Sequence, residues 1–121
     1  MKKILSTTRK PDITFHATGE IYITARVSRI LDLSADSCIN VAIEKGEYLL
    51  FAENYRDMIG NHTGRCHPVN AGSRYFRANS VRLSRAILQA TRTSQRVALM
   101  CGEPLSVNGK TYLPIITGMT L

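Results

Sequence analysis

The sequence contains two nearly identical arginine-rich segments, and this internal repeat restricts the possible folds more than any other feature. The first segment, Arg26–Leu31, reads RVSRIL, and the second, Arg82–Leu88, reads RLSRAIL. The 56-residue offset between them also superposes Val41-Ala42 on Val97-Ala98. Similarity that recurs at a fixed offset is typical of a duplicated structural unit. The sequence therefore predicts one small unit that occurs twice within 121 residues.

The first half has a hydrophobic pattern typical of the order strand, strand, helix, strand, strand. Alternating apolar and polar residues predict the strands, and apolar residues at i, i+3 and i+4 predict the short helix. Glycine marks both predicted turns. The predicted elements are a hairpin over 13–24 that turns at Thr18-Gly19, a helix over 25–31 with Thr24 as its N-cap, and a hairpin formed by 38–43 and 47–51.

The second half repeats this order of elements. Ser80 is the predicted N-cap of a helix with arginines along its polar edge, and Asn108-Gly109 is a strong hairpin signal. The apolar stripe predicted for this helix is Leu83, Ala86, Ile87 and Ala90. The predicted strands are 64–69 paired with 73–78, and 96–100 paired with 112–117.

One copy of such a unit buries too little apolar surface to be stable alone, so the two copies are expected to share a core. The predicted fold is mainly β with two short helices, a tandem ββαββ repeat whose hairpins close one barrel-like sheet with pseudo-twofold symmetry. We expect a flexible arm over 1–12 and a single domain over 13–121, with repeats over 13–52 and 64–117 and a connector over 53–63. The predicted core is Ile21, Ile23, Ile39, Val41, Leu49, Phe76, Val97, Leu99, Leu113 and Ile115.

Charge is distributed unequally between the two halves. The formal net charge is +7, yet residues 1–57 carry equal numbers of basic and acidic side chains. Residues 58–121 carry eight Lys or Arg and one acidic residue, and no acidic residue lies between Arg65 and Arg96. Such a local density of arginine suits phosphate oxygens or an acidic protein partner.

The composition indicates a globular protein with no membrane segment. No apolar run approaches the ~20 residues that a membrane span needs, and the N-terminus lacks the apolar core of a signal peptide. The three cysteines, Cys38, Cys66 and Cys101, are far apart and odd in number, which favours reduced thiols over disulfides. We therefore expect a soluble cytoplasmic protein.

The run Gly19–Leu33, continued by Asp36, Ile39–Val41 and Gly46–Leu50, resembles the AbrB/MazE/SpoVT family. In that family a glycine-turn strand leads into a short helix that often carries paired arginines, and a closing hairpin follows. The match covers about 35 residues, and the second half resembles the family in its order of elements. The resemblance implies a swapped-hairpin barrel, and it suggests an AbrB-like DNA-binding transcription regulator or the antitoxin of a toxin–antitoxin pair.

The second half has more basic residues at the positions that the family uses for DNA. The first half has Thr24 where the family's helix usually begins with proline, and Glu20 where a basic residue is common. Arginine side chains bind phosphate oxygens and guanine edges through paired hydrogen bonds. The predicted nucleic-acid-binding residues are Arg29, Arg74, Arg77, Arg82, Arg85 and Arg92.

The sequence gives no comparable support for a catalytic or metal site. His62, Cys66, His67 and Cys101 lack the spacing of known zinc ligands, and neighbours on a strand point to opposite sides. No motif or spacing indicates a catalytic nucleophile with its base, so we expect no enzyme activity and no cofactor. Tyr75 and Phe76 are interpreted as core residues, with stacking on bases as the alternative.

Two functions therefore remain open at this point. The first is a small regulator that contacts the phosphate backbone of double-stranded DNA. The second is a protein-interaction module, antitoxin-like or structural, that binds an acidic protein partner. In either case Arg82 and Arg85 could instead form ion pairs with Glu20, Glu44 or Glu47, and the chain could be a pseudo-twofold monomer or a homodimer.

Overall fold

The protein is mainly β, with ten strands and two helices in the computed structural model, which describes residues 11–54 and 64–118. None of the helices in these ranges is long and apolar enough to cross a membrane. The elements are β1 (Ile13–His16), β2 (Glu20–Ile23), α1 (Ala25–Leu31), β3 (Ser37–Glu44), β4 (Glu47–Asn54), β5 (Gly64–Arg65), β6 (His67–Pro68), β7 (Phe76–Asn79), α2 (Val81–Ala90), β8 (Arg96–Leu99), β9 (Leu105–Val107) and β10 (Lys110–Ile115).

The strands form two antiparallel five-stranded sheets. The first sheet has the order β6-β7-β2-β1-β8, and the second has the order β5-β3-β4-β10-β9. Neither sheet closes into a barrel, so the prediction of one closed barrel-like sheet is corrected to two open sheets. The prediction of a mainly β fold with two short helices is confirmed.

Both sheets are built from both halves of the chain. In the first sheet, β2 pairs with β7 so that Ile21 lies opposite Ala78, and β1 pairs with β8. In the second sheet, β4 pairs with β10 so that Leu50 lies opposite Leu113, and β3 pairs with β5. The two halves therefore cannot separate without breaking both sheets.

The chain passes from one sheet to the other three times, and two of these crossings change predicted hairpins. Cys66 separates β5 in the second sheet from β6 in the first, so only the β6 part of 64–69 pairs with β7. Strand β8 pairs with β1, whereas the predicted partner of 96–100 was 112–117. Beyond β8, Cys101 forms a single bridge with Ile115, and the turn at Asn108-Gly109 joins β9 to β10 as predicted.

The two helices have the predicted positions but differ in detail from the predicted capping and packing. The Thr24 side chain does not cap α1, because its hydroxyl donates to the Asp12 carbonyl at 3.1 Å. Ser80 caps α2 as predicted, by accepting the Leu83 N–H at 3.1 Å. The buried face of α2 is rotated from the predicted stripe: Ser84, Ile87 and Leu88 are buried, Leu83 is half-buried, and Ala86 and Ala90 are exposed.

The core lies between the two sheets and the helices, and it contains most of the predicted residues. All of them are buried except Val41, which is half-buried against the core. Ile13, Phe15, Val27 and Leu31 add to it from β1 and α1.

Asp12, the last residue of the predicted arm, is held in the fold just before β1. Its carboxylate is 3% exposed, accepts the Cys101 N–H at 2.7 Å and pairs with Arg26 at 3.3 Å. Residues 1–10 of that arm lie outside the described residues, as does most of the predicted connector. Glu53 and Asn54, predicted to begin the connector, belong to β4.

Candidate nucleic-acid interface

Most of the predicted nucleic-acid-binding arginines lie on strand β7 or near one of its ends. It pairs with β2 in antiparallel register, with Glu20 opposite Asn79 and Ile23 opposite Phe76. Strand β2 leads into α1 and β7 leads into α2. Because the two strands run in opposite directions, α1 begins at one end of the pair and α2 at the other.

Arg77 lies in the middle of β7 on the outer face of the first sheet. Alternation along the strand buries Phe76 and Ala78 and leaves Arg77 exposed. Its cross-strand neighbours are Tyr22 on β2 and His67 on β6. The exposed guanidinium is therefore flanked by an aromatic ring and an imidazole.

Arg74 and Arg29 lie near the end of β7 at which the strand begins. Arg74 precedes Tyr75, which is 52% exposed. Tyr75 shares the lining of an open pocket of about 230 Å³ with Arg26 and Arg29 of α1. Arg26 holds the buried Asp12, whereas Arg29 is exposed.

Arg82 and Arg85 lie at the other end of β7, on the exposed side of α2. The turn between β1 and β2 contacts the beginning of this helix, because the Gly19 carbonyl accepts the Ser80 N–H at 2.9 Å. A Cβ at Gly19 would lie 2.8 Å from the Val81 side chain, and the residue has a φ of +102°. Glycine is therefore required where this turn meets the helix.

These positions form what we call the β7 track, defined as Arg29, Arg74, Arg77, Arg82 and Arg85. Strand β7 spans about 13 Å at ~3.3 Å per residue, with arginines near both ends and in the middle. Arg92 does not belong to it. That residue follows α2, about 15 Å along the helix axis from its first turn at ~1.5 Å per residue.

Arg82 and Arg85, the two arginines of the track on α2, are not neutralised by carboxylates of the described residues. Within residues 11–54 and 64–118, neither Arg82 nor Arg85 forms an ion pair, including with Glu20, Glu44 or Glu47. The first turn of α2 contains no acidic residue. Both side chains therefore present their charge to solvent at the positive end of the helix dipole.

Glu20 is the acidic residue on the outer face beside Arg77. Tyr22 donates its hydroxyl hydrogen to the Glu20 carboxylate at 2.8 Å. This hydrogen bond and the carboxylate charge raise the pKa of the Tyr22 phenol, while Arg77 acts in the opposite direction. Glu20 therefore weakens the positive potential locally at the centre of the track.

The described cysteines and histidines do not assemble a metal site. Cys66 is fully buried and His67 is exposed, in agreement with their predicted opposite directions. No group of three or more His, Cys, Asp or Glu in the described ranges could hold a metal ion, and His62 lies outside those ranges. Cys38, Cys66 and Cys101 are buried, and none of them is in a disulfide.

Sequence reasoning missed two features of this face. Arg26, in the first of the two repeated segments, was given no structural role, yet its guanidinium binds the buried Asp12 carboxylate. Tyr75 was assigned with Phe76 to the core, but only Phe76 is buried, at 5% exposure. Within the predicted strand 73–78, alternation already places Tyr75 on the face opposite Phe76, and this signal was not applied.

Comparison of the chain with protein-family models, with curated proteins and with solved structures finds no match. Interpretation of the site therefore depends on the geometry of the β7 track.

Proposed function

We propose that this protein is a small DNA-binding regulator of AbrB-like type that contacts the phosphate backbone of a duplex through the β7 track. The observation that carries this proposal is the placement of exposed arginines at both ends and in the middle of one short strand. Guanidinium groups so placed can each bind a phosphate oxygen with charge-assisted hydrogen bonds.

The order of elements supports the AbrB-like, swapped-hairpin part of the proposal. In the repeat, β1, β2, β3 and β4 of the first half correspond to β5, β7, β8 and β10 of the second. The pairing of β1 with β8 therefore has its counterpart in the pairing of β3 with β5. The pairs β2·β7 and β4·β10 each join two corresponding strands. Both helices are followed by a left-handed residue, Asp32 with φ 53° and Arg92 with φ 56°. The final hairpins turn on Lys45-Gly46 and Asn108-Gly109, which have matching positive φ values.

The dimensions of the track suit a duplex. Its ~13 Å strand is comparable to the ~12 Å width of the major groove of B-DNA, so arginines near the two ends can reach phosphates on both sides. Contacts to phosphates fix position and supply affinity, and they carry little sequence information. Glu20 beside Arg77 moderates this attraction.

The direct test is a fluorescence-anisotropy titration of a labelled duplex at low salt. Arg82→Ala/Arg85→Ala should weaken binding at least tenfold, because each lost phosphate contact is a charge-assisted hydrogen bond with a net contribution of about 1.5–3 kcal/mol. Arg92→Ala is the matched control, since this exposed arginine lies outside the track. Equal effects of the two variants, or no binding by the unmodified chain, would refute the proposal.

An acidic protein is the second candidate partner, and the exposed tyrosines favour it. Tyr22 and Tyr75 are 40% and 52% exposed and lie beside arginines of the track. Tyrosine and arginine are enriched in protein–protein interfaces. If the partner is a protein, then duplex DNA will fail to bind at low salt. A partner that the immobilised unmodified chain retains from cell extract will then not be retained by Arg77→Ala.

A further inference from the structure

The outer face of the first sheet carries aromatic side chains that contact with the phosphate backbone of a duplex does not use. Alternate residues of β2 and β7 are exposed, and so are both residues of β6, so this face is open to solvent. Tyr22, Arg77 and His67 lie side by side across these three strands. The face therefore offers rings to a ligand as well as a cation.

Tyr22 offers its ring to a ligand rather than its hydroxyl. The hydroxyl donates to the Glu20 carboxylate at 2.8 Å, and the His16 and Tyr22 rings meet at 5.0 Å between centroids with an interplanar angle of 84°. These two contacts orient the ring, and Tyr22 is still 40% exposed. Because its polar atom is already engaged, the surface that remains for a ligand is mainly apolar ring.

Tyr75 supplies a second ring on the same face. The Val69 N–H donates to the Tyr75 carbonyl at 2.8 Å, which continues the pairing of β6 with β7, and Tyr75 is 52% exposed. Residues two apart on a strand share a face and are about 7 Å apart, whereas directly opposite residues are about 5 Å apart. Arg77 therefore has one exposed ring across from it, Tyr22, and another along the chain, Tyr75.

This arrangement suits a nucleic acid strand whose bases are unpaired. In a duplex each base is stacked on its neighbours and exposes only its edges in the grooves. In a single strand the bases can turn outward and stack on aromatic side chains while cations bind the phosphates. An acidic peptide segment can pair with Arg77, but stacking on both rings requires planar groups that alternate with charges, which carboxylate side chains do not supply.

We infer that a single-stranded nucleic acid binds across the outer face of the first sheet, with one base on Tyr22, another on Tyr75 and the intervening phosphate at Arg77. This site goes beyond the proposed contact with duplex DNA. It shares Arg77 with the β7 track, but it does not require a bound duplex.

The path of the strand continues diagonally across the sheet beyond Tyr22. The next ring is that of His16 on β1, and the exposed Arg96 lies opposite His16 on the edge strand β8. Arg96 can therefore bind a further phosphate. Glu20 lies beside this path and repels phosphate, which limits the affinity.

Fluorescence anisotropy of a labelled oligodeoxythymidine of about ten nucleotides tests the inference on the full chain. The comparison probe is an abasic strand of the same length, which keeps the phosphates and lacks the bases. The unmodified chain should bind the thymidine strand at least tenfold more tightly than the abasic strand, because stacking requires the bases.

Substitution of the two tyrosines tests which rings are used. Tyr22→Ala/Tyr75→Ala should remove most of the difference between the two strands, and the matched control Tyr22→Phe/Tyr75→Phe, which keeps both rings, should retain it. Tyr75→Ala alone, at the more exposed ring, should weaken binding of the thymidine strand at least about threefold. Thermal unfolding shows whether each variant is folded, and the comparison of the two strands on the unmodified chain needs no variant.

Three outcomes would overturn the inference. They are equal affinity of the unmodified chain for the two strands, a folded double-alanine variant that keeps the full difference, and binding of polyglutamate of equal charge as tight as that of the thymidine strand. A chain that binds duplex DNA without preferring bases in a single strand contradicts only this inference. A chain that binds the thymidine strand but no duplex supports this inference and contradicts only the proposed function.

Discussion

At the scale of single residues, Asp12 shows how one buried carboxylate connects parts of the fold that are distant in sequence. Its side chain joins the start of β1 to the backbone of Cys101 and to Arg26 of α1. Asp12→Ala should lower the free energy of unfolding by roughly 2–4 kcal/mol, because it leaves a buried N–H and a partly buried guanidinium without their acceptor. Urea denaturation measures this change.

Glu44→Ala is the control for that measurement, since Glu44 is an exposed carboxylate and its loss should change stability by less than about 0.5 kcal/mol. Similar effects of the two substitutions would show that the Asp12 carboxylate does not stabilise the fold.

Because the Cys66 thiol is buried, we expect the protein to lose stability at alkaline pH. Burial, with a smaller contribution from Cys38, raises the pKa of the Cys66 thiol to about 12. In the unfolded chain the thiol loses its proton near pH 9, so between about pH 9 and 12 the unfolded state binds fewer protons than the folded state. The contribution of Cys66 to stability is complete below pH 9. Between about pH 9 and 12 the free energy of unfolding should fall by up to about 1.4 kcal/mol per pH unit.

Denaturation at pH 8 and pH 10 for the unmodified chain and for Cys66→Ala checks this expectation. The alanine variant should lose less stability over that interval, because the other titrating groups are common to both proteins. An identical pH dependence in the two proteins would contradict the expectation.

At the scale of elements, the repeated serines explain why the predicted face of α2 was rotated. Ser28 and Ser84 occupy the same place in the two similar segments, and both are fully buried. A polar residue in the middle of an arginine-rich segment was not expected to face the core. Hydrophobic periodicity gave the bounds of α1 and the start of α2, but it could not identify a small hydroxyl residue that allows close packing.

The same serines give an element-scale prediction. Neither hydroxyl has a hydrogen-bond partner in the described part of the chain. Ser84→Ala should therefore change stability by less than about 0.5 kcal/mol or increase it slightly, whereas Ser84→Val should destabilise by about 1–3 kcal/mol through overpacking. Thermal unfolding of both variants, with the same pair made at Ser28, measures this. A large cost for Ser84→Ala would indicate a buried partner for the hydroxyl.

Strand pairing between the halves was the least predictable aspect of the fold. Local patterns located both hairpins of the first half, because their turns contain glycine at positive φ. The sequence placed 96–100 next to 112–117, whereas β8 pairs with β1, which is distant in the chain. The charge asymmetry directed attention to the arginines of the second half, but only the antiparallel pairing of β2 with β7 shows which of them lie along one strand.

At the scale of the whole molecule, the interleaved sheets make each half dependent on the other. Fragments 1–57 and 58–121 should each lack a cooperative unfolding transition, because each would lose its partners in both sheets. Mixing the fragments should restore a cooperative transition, which circular dichroism can follow on heating. Cooperative unfolding of either fragment alone would contradict this dependence.

The salt dependence of duplex binding tests the proposed role of the β7 track most directly. Release of counterions lowers the logarithm of the affinity by about 0.9 per phosphate contact for each unit of log salt concentration. Between about 50 and 200 mM salt the unmodified chain should give a slope steeper than about −2.7, and Arg82→Ala/Arg85→Ala should reduce it by about 1.8. A slope near zero, or one that these substitutions leave unchanged, would contradict binding of DNA through the β7 track.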